Sequence, residues 1–143
     1  MRMAFTLDDI PLWPRSYPPA GYTIASIMQQ ISDALVRNGV RNVYGFGNSW
    51  SLAQHPKLGA VLDAWRAAGH HVGNHTHAHP VLTEIDAIRY CGEIDLADRH
   101  LEPWLSKAPT RYFRYTLCHW ATPRRNARTF WRILPPGTTS PPT

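Results

Sequence analysis

The sequence predicts an α/β fold built on a parallel sheet. Three observations carry this. Short apolar runs of strand length alternate with longer runs whose apolar residues recur at helical spacing. Glycine-bearing exits punctuate the alternation. Strand, helix, strand, helix in regular order implies parallel strands joined by helical crossovers.

The elements are read in chain order. "MRMAFTL" (1–7) alternates and reads as a strand. "DDIPLWPRSYPPAGY" (8–22) carries four prolines and reads as a long aromatic loop of the sort that lines a site. The clearest helix spans 23–39, where Ile24, Ile27, Met28, Ile31 and Leu35 make one stripe, Thr23 caps the start and Gly39 fits the stop. "VRNVYGFGN" (40–48) is a second strand. A helix follows over 55–69, with Pro56 in its first turn, Leu58, Val61, Leu62 and Trp65 on its apolar face, and Gly69 at its end. "HHVGN" (70–74) is a short third strand. Residues 83–106 read as a helix begun by Thr83, with looser periodicity and an internal Gly92. "RYFRYTL" (111–117) is a fourth strand and 123–134 a further helix. The end is rich in proline and threonine and has no core-forming pattern. The expectation is one domain over residues 1–133 and a disordered tail over 134–143.

Composition narrows the function classes. The chain has 143 residues, enough for one domain, and 43% are hydrophobic, enough for a packed core. No run of about eighteen apolar residues exists, so no membrane span is expected. The opening apolar segment is too short for a secretory signal, so a cytoplasmic location is expected. Two cysteines, Cys91 and Cys118, suggest free thiols rather than a disulfide framework. The net charge is +5, yet residues 1–110 hold nine basic against ten acidic side chains, and residues 111–143 hold six arginines and no acid. The basic excess belongs to the end of the chain and does not argue for a nucleic-acid-binding domain.

The chemistry-bearing residues fall at strand exits. Asp8 and Asp9 follow the first strand, and His75, Thr76, His77 and His79 follow the third. Arg111, Arg114 and Tyr115 lie on or near the fourth. In a parallel sheet such exits share one rim. One carboxylate and two imidazoles leave positions free on a divalent metal for water and substrate, and a second carboxylate beside them can take a proton. Two geometries compete for the histidines. An extended run would align His75, His77 and His79. A single helical turn would bring His75 and His79 together at i, i+4 and turn His77 away. Asn74 and Thr76 suit a turn, and Pro80 forbids a long helix, so the turn and the 75/79 pair are favoured.

These motifs resemble the polysaccharide deacetylase family, the NodB homology domain of carbohydrate esterase family four. "TLDDIP" (Thr6 to Pro11) is similar to its Thr-Phe-Asp-Asp-Gly-Pro motif, "HTHAHP" (His75 to Pro80) to its His-Ser/Thr-x-x-His motif, and "FRYT" (Phe113 to Thr116) to its Phe-Arg-Tyr-Pro motif, in the same order. Ile10 stands where the motif has glycine and Thr116 where it has proline. The resemblance implies a partial distorted (β/α) barrel of about four βα units. It implies Asp8 as catalytic base, Arg114 as the arginine beside that base, and Asp9, His75 and His79 as ligands of a divalent metal, commonly zinc, with His77 a non-ligand. It implies a metal-dependent hydrolase of non-peptide C–N bonds, acting on a carbohydrate or small amide. The placement of charge and the lack of a long apolar run separately lead to no expected nucleic acid or membrane partner. The family's later motifs, Asp-x-x-Trp and Leu-x-His, do not follow Thr116, so a domain shortened at its C-terminus is expected. The alternative expectation is a catalytically inactive fragment that at most binds metal and self-associates through an exposed sheet edge.

Several of these residues also suit purely structural roles. Arg111 and Arg114 also suit surface ion pairs. Trp13, Tyr17 and Tyr22 suit sugar stacking and loop packing equally. Trp50, Trp65 and Trp104 read as packing, and His55, His70, His71 and His100 have no assigned role.

Overall fold

Three parallel strands run side by side in the order β1 (Thr6–Ile10), β2 (Tyr44–Gly47), β3 (His71–Asn74). The computed structural model describes residues 4–13 and 15–118. Helices α1 (Ile24–Arg37) and α3 (Gly59–Ala67) cross between the strands, a short α2 (Trp50–Gln54) precedes α3, and α4 (Ala87–Leu105) follows β3. Parallel strands need such crossovers, so all three strands end on one rim.

β1 corrects the expected boundary. It begins at Thr6 and runs through Ile10, so both aspartates lie within the strand rather than after it. The reason is packing. Ile10 is 1% exposed and joins Leu7 in the core, which extends the strand's apolar side past the acidic pair. Between Asp8 and Ile10 the register with β2 shifts, and Asp9 takes φ 60°. A bulge of this kind re-aims one side chain.

α1 forms where expected. The Thr23 hydroxyl accepts the Ser26 N–H at 3.0 Å, and the Ser26 hydroxyl accepts the Thr23 N–H at 2.9 Å. This satisfies two donors that the helix itself leaves open. Gly39 ends the region at φ +70°, a conformation that suits glycine. The helix expected over 55–69 is divided: Pro56–Leu58 form a 3₁₀ turn, and α3 starts at Gly59. α2 was not foreseen in the sequence. α4 starts later than Thr83, because the Asp86 carboxylate accepts the Arg89 N–H at 2.9 Å and Leu82 is buried in the turn before it.

The fourth strand reduces to a single parallel bridge between Phe113 and Asn74. Two side-chain bonds end it. The Thr116 N–H donates to the Tyr90 hydroxyl at 3.2 Å, and the Thr116 hydroxyl donates to the Pro80 carbonyl at 2.5 Å. A proline at 116 would lack that N–H. The departure from the motif is thus used locally. The helix expected over 123–134 and the tail over 134–143 lie outside the described residues.

The main core lies between the sheet and its helices, around Leu62, Trp65, Val72 and Leu101. A second cluster gathers Leu82, Tyr90, Cys91 and Ile94 under Phe113 and Tyr115. Trp65 is 1% exposed, with its indole N–H donating to the His71 carbonyl at 2.9 Å, so it packs as expected. Gly45 makes room for Ile10: a Cβ there would collide with Ile10 Cδ1 and lie 3.1 Å from Trp65 Nε1. Gly45→Ala is therefore expected to destabilise the fold by about 1–3 kcal/mol in urea unfolding. In an Ile10→Val background the penalty should shrink. An equal penalty in both backgrounds would count against this contact.

Candidate metal centre

The site is assembled from β1 and the segment after β3. The bulge turns Asp9 towards the histidine segment, while Asp8 stays in register opposite Phe46. The histidine segment is neither extended nor a helical turn, which corrects both geometries weighed from the sequence. Thr76 and His79 take φ 70° and 55°. Side chains supply the bonds that a helical turn would have made. Asn74 Oδ1 accepts the Thr76 N–H at 2.7 Å, and the Thr76 hydroxyl accepts the His79 N–H at 3.1 Å. The outcome expected of the turn is nonetheless reached, with His75 and His79 converging and His77 directed elsewhere.

Asp9 Oδ1 lies 3.8 Å from His75 Nε2 and 3.5 Å from His79 Nε2. The two imidazoles are 2% and 8% exposed, and their rings meet edge-on at 5.0 Å. His75 Nδ1 is 2.8 Å from the Arg114 carbonyl, so that nitrogen carries the proton and Nε2 presents its lone pair to the cluster. Arg114 also reaches the neighbouring carboxylate. Its Nη1 donates to Asp8 Oδ1 at 2.7 Å and to the Thr6 hydroxyl at 2.8 Å, and its guanidinium lies 4.1 Å over the Phe46 ring. Asp8, Asp9, His75, His79 and Arg114 are therefore brought together.

Other candidates lie elsewhere. Arg111 pairs with Glu102 on the surface. His77 bonds the Ser49 hydroxyl through Nδ1 at 2.7 Å and stacks on His100 at 5.5 Å. Tyr17 and Tyr22 are exposed, with Tyr17 at 90%. The Trp13 ring packs against His79 at a tilt of 44° with ring centres 4.0 Å apart, which places one of the loop aromatics at the cluster.

Two asparagines did not come forward as site residues in the sequence. Asn48 Nδ2 donates to the His75 carbonyl at 2.6 Å, and Asn74 braces Thr76. Both are buried. A signal existed: β2 and β3 each run into Gly-Asn, at 47–48 and 73–74.

Burial dominates the electrostatics. It raises the Asp9 carboxyl above its usual range, against the opposing pull of His75 and His79. It lowers His79, against the pull of Asp9. Without a cation, both groups are pushed towards their neutral forms, and neutral imidazole is the form that binds metals. Asp9 Oδ1 is buried and has no hydrogen-bond partner. Ligand atoms at zinc-bond length around a tetrahedral ion are separated by about 3.3 Å. The observed 3.5 and 3.8 Å are close to that value. Among the described residues, Asp9, His75 and His79 are the group that could hold a metal ion.

A parallel α/β sheet with its chemistry gathered on the strand-exit rim is the arrangement that α/β barrels and open α/β sheets share. The polysaccharide deacetylase family profile matches residues 2–129, and the chain belongs to that family. It is 32% identical over 109 residues to a chitin deacetylase from Colletotrichum lindemuthianum, covering 73% of this chain and 39% of that protein. In fold it is similar to a family 4 carbohydrate esterase from Streptomyces lividans solved with acetate. That likeness has 24% identity and a TM-score of 0.60, over 91% of this chain and 55% of the other. A peptidoglycan deacetylase from Bacillus subtilis is similar at 21% identity and a TM-score of 0.59, over 89% and 54%. The chain thus spans about two fifths to a little over half of these relatives. No helix among the described residues is long and apolar enough to cross a membrane.

Proposed function

We propose that the chain carries the metal-binding half of a deacetylase site that removes the acetyl group from an N-acetylated sugar. The observation that carries this is the unpartnered Asp9 carboxylate oxygen facing two imidazole nitrogens, beside an aspartate held by arginine. Asp9, His75 and His79 would hold a divalent ion, zinc by the chemistry of the donor set. Bound there, it would supply Lewis-acid activation of water and polarisation of the amide carbonyl.

The chain's own residues do the rest. Asp8 Oδ1 is fixed by Arg114, which leaves its second oxygen to accept the proton of the attacking water. The Arg114 carbonyl holds the His75 proton on Nδ1. Trp13 shields one face of His79 and offers an apolar surface at the rim. Support for a sugar amide as substrate comes from the family and from the chitin deacetylase likeness.

The test pairs a zinc titration by chelator competition with acetate release from N-acetylglucosamine oligomers. One equivalent of zinc per chain and zinc-dependent acetate release are expected. No zinc binding would overturn the metal site. Zinc binding without acetate release would overturn the catalytic reading and select a chain that only binds metal.

A further inference from the structure

The arrangement around Asn74 goes deeper than any ligand and rests on the metal-site reading above. Asn74 is 2% exposed and uses every polar group it has. Its Nδ2 donates to Asp98 Oδ1 at 2.6 Å and to the Ile94 carbonyl at 2.9 Å, both on α4. Its Oδ1 accepts the Thr76 N–H at 2.7 Å. Its main-chain N–H donates to the Tyr112 carbonyl at 2.8 Å, and its carbonyl accepts the Arg114 N–H at 2.9 Å.

These five bonds join three parts of the site. Thr76 passes the constraint to His79 through its hydroxyl. Arg114 passes it to His75 through its carbonyl and to Asp8 through its guanidinium. α4 is the anchor, since Ile94 and Ala97 on that helix are buried in the two cores. Buried amides satisfied on every side specify one conformation.

We infer that Asn74, clamped by Asp98 of α4, is the positioning residue that holds the His75–His79 segment and the Arg114 segment in register, and so presets the site. It touches neither the reacting atoms nor the ion. Asp98 is the outer member of the clamp and supplies an acceptor, so an uncharged oxygen at 98 should serve nearly as well.

The test uses the full chain with Asn74→Asp, Asp98→Ala and Asp98→Asn. Asn74→Asp sets one carboxylate against another and turns an acceptor towards the Ile94 carbonyl. Asp98→Ala removes only the outer bond and keeps the question answerable if Asn74→Asp fails to fold. Amide hydrogen exchange is measured at Thr76, Arg114 and Met28 in metal-free protein, and zinc affinity by chelator competition.

In Asn74→Asp and Asp98→Ala, exchange at Thr76 and Arg114 is expected to quicken by about tenfold while Met28 of α1 stays at the parent rate. Zinc affinity is expected to fall by about 10–100-fold in Asn74→Asp, and by less in Asp98→Ala. Asp98→Asn is expected to behave as the parent in both measurements.

Parent exchange rates at Thr76 and Arg114 in the first two variants would overturn the inference. So would an acceleration that included Met28 equally, which would make Asn74 a general stability residue. Unchanged zinc affinity in Asn74→Asp, with the parent binding zinc, would overturn its role in the site. A parent that bound no zinc, yet showed the selective loss of protection, would sink the metal reading and leave the positioning role standing.

Discussion

Replacing Asp8 with asparagine is expected to lower acetate release by about 10²–10⁴-fold, the range for loss of a positioned general base. Zinc affinity should stay near that of the parent, because Asp8 is bonded to Arg114 and is not among the three converging donors. The geometry permits a clean separation. Asparagine keeps the shape and an oxygen for the Arg114 Nη1 bond, and loses only the capacity to take a proton. Steady-state acetate release and chelator competition on the same preparation check both halves. A variant with parent activity would remove Asp8 from the mechanism. A variant that lost zinc as well would place Asp8 among the ligands.

The second large effect is at Asp9. Asp9→Asn is expected to weaken zinc binding on the order of 10²–10³-fold, the share of a structural zinc site's binding energy that one ligand of several carries. In metal-free protein the same change should stabilise the fold at neutral pH. Burial raises the folded-state pKa of Asp9 above its unfolded value. Such a group contributes stability that is fully present below the unfolded pKa, about 4. That stability is lost as pH rises through the raised folded value, because the folded state must then hold a poorly solvated charge. Asparagine carries no such charge. Thermal melts with chelator present, from pH 4 to 7, should show the parent losing stability with rising pH relative to Asp9→Asn. Equal profiles would mean that Asp9 ionises at no cost. Opposed effects on metal binding and metal-free stability are the expected mark of a site whose local strain serves its ligand.

Much of the fold was legible because its signals are local. The α1 stripe, its Thr23 cap and the Gly39 stop are fixed by side chains within a few residues of one another. The alternation of strand and helix gave the parallel sheet. The division of the 55–69 helix, the added α2 and the shortened fourth strand were not legible. The last two depend on partners distant in sequence: the Trp50 N–H bonds the His77 carbonyl, and Thr116 bonds Tyr90 and Pro80.

The candidate site divides in the same way. The sequence by itself determined which residue types converge: an acidic pair, two histidines four apart and an arginine, each at or near the end of a strand. Residue type and spacing are enough for that, since parallel strands place their ends on one rim. Only the tertiary structure decided how they are aimed. A bulge in β1 separates Asp9 from Asp8, a bent segment rather than a helical turn brings His79 back to His75, and Asn74 ties both to α4. Ligand direction is set by hydrogen bonds to groups remote in the chain, and no local pattern of residues records them.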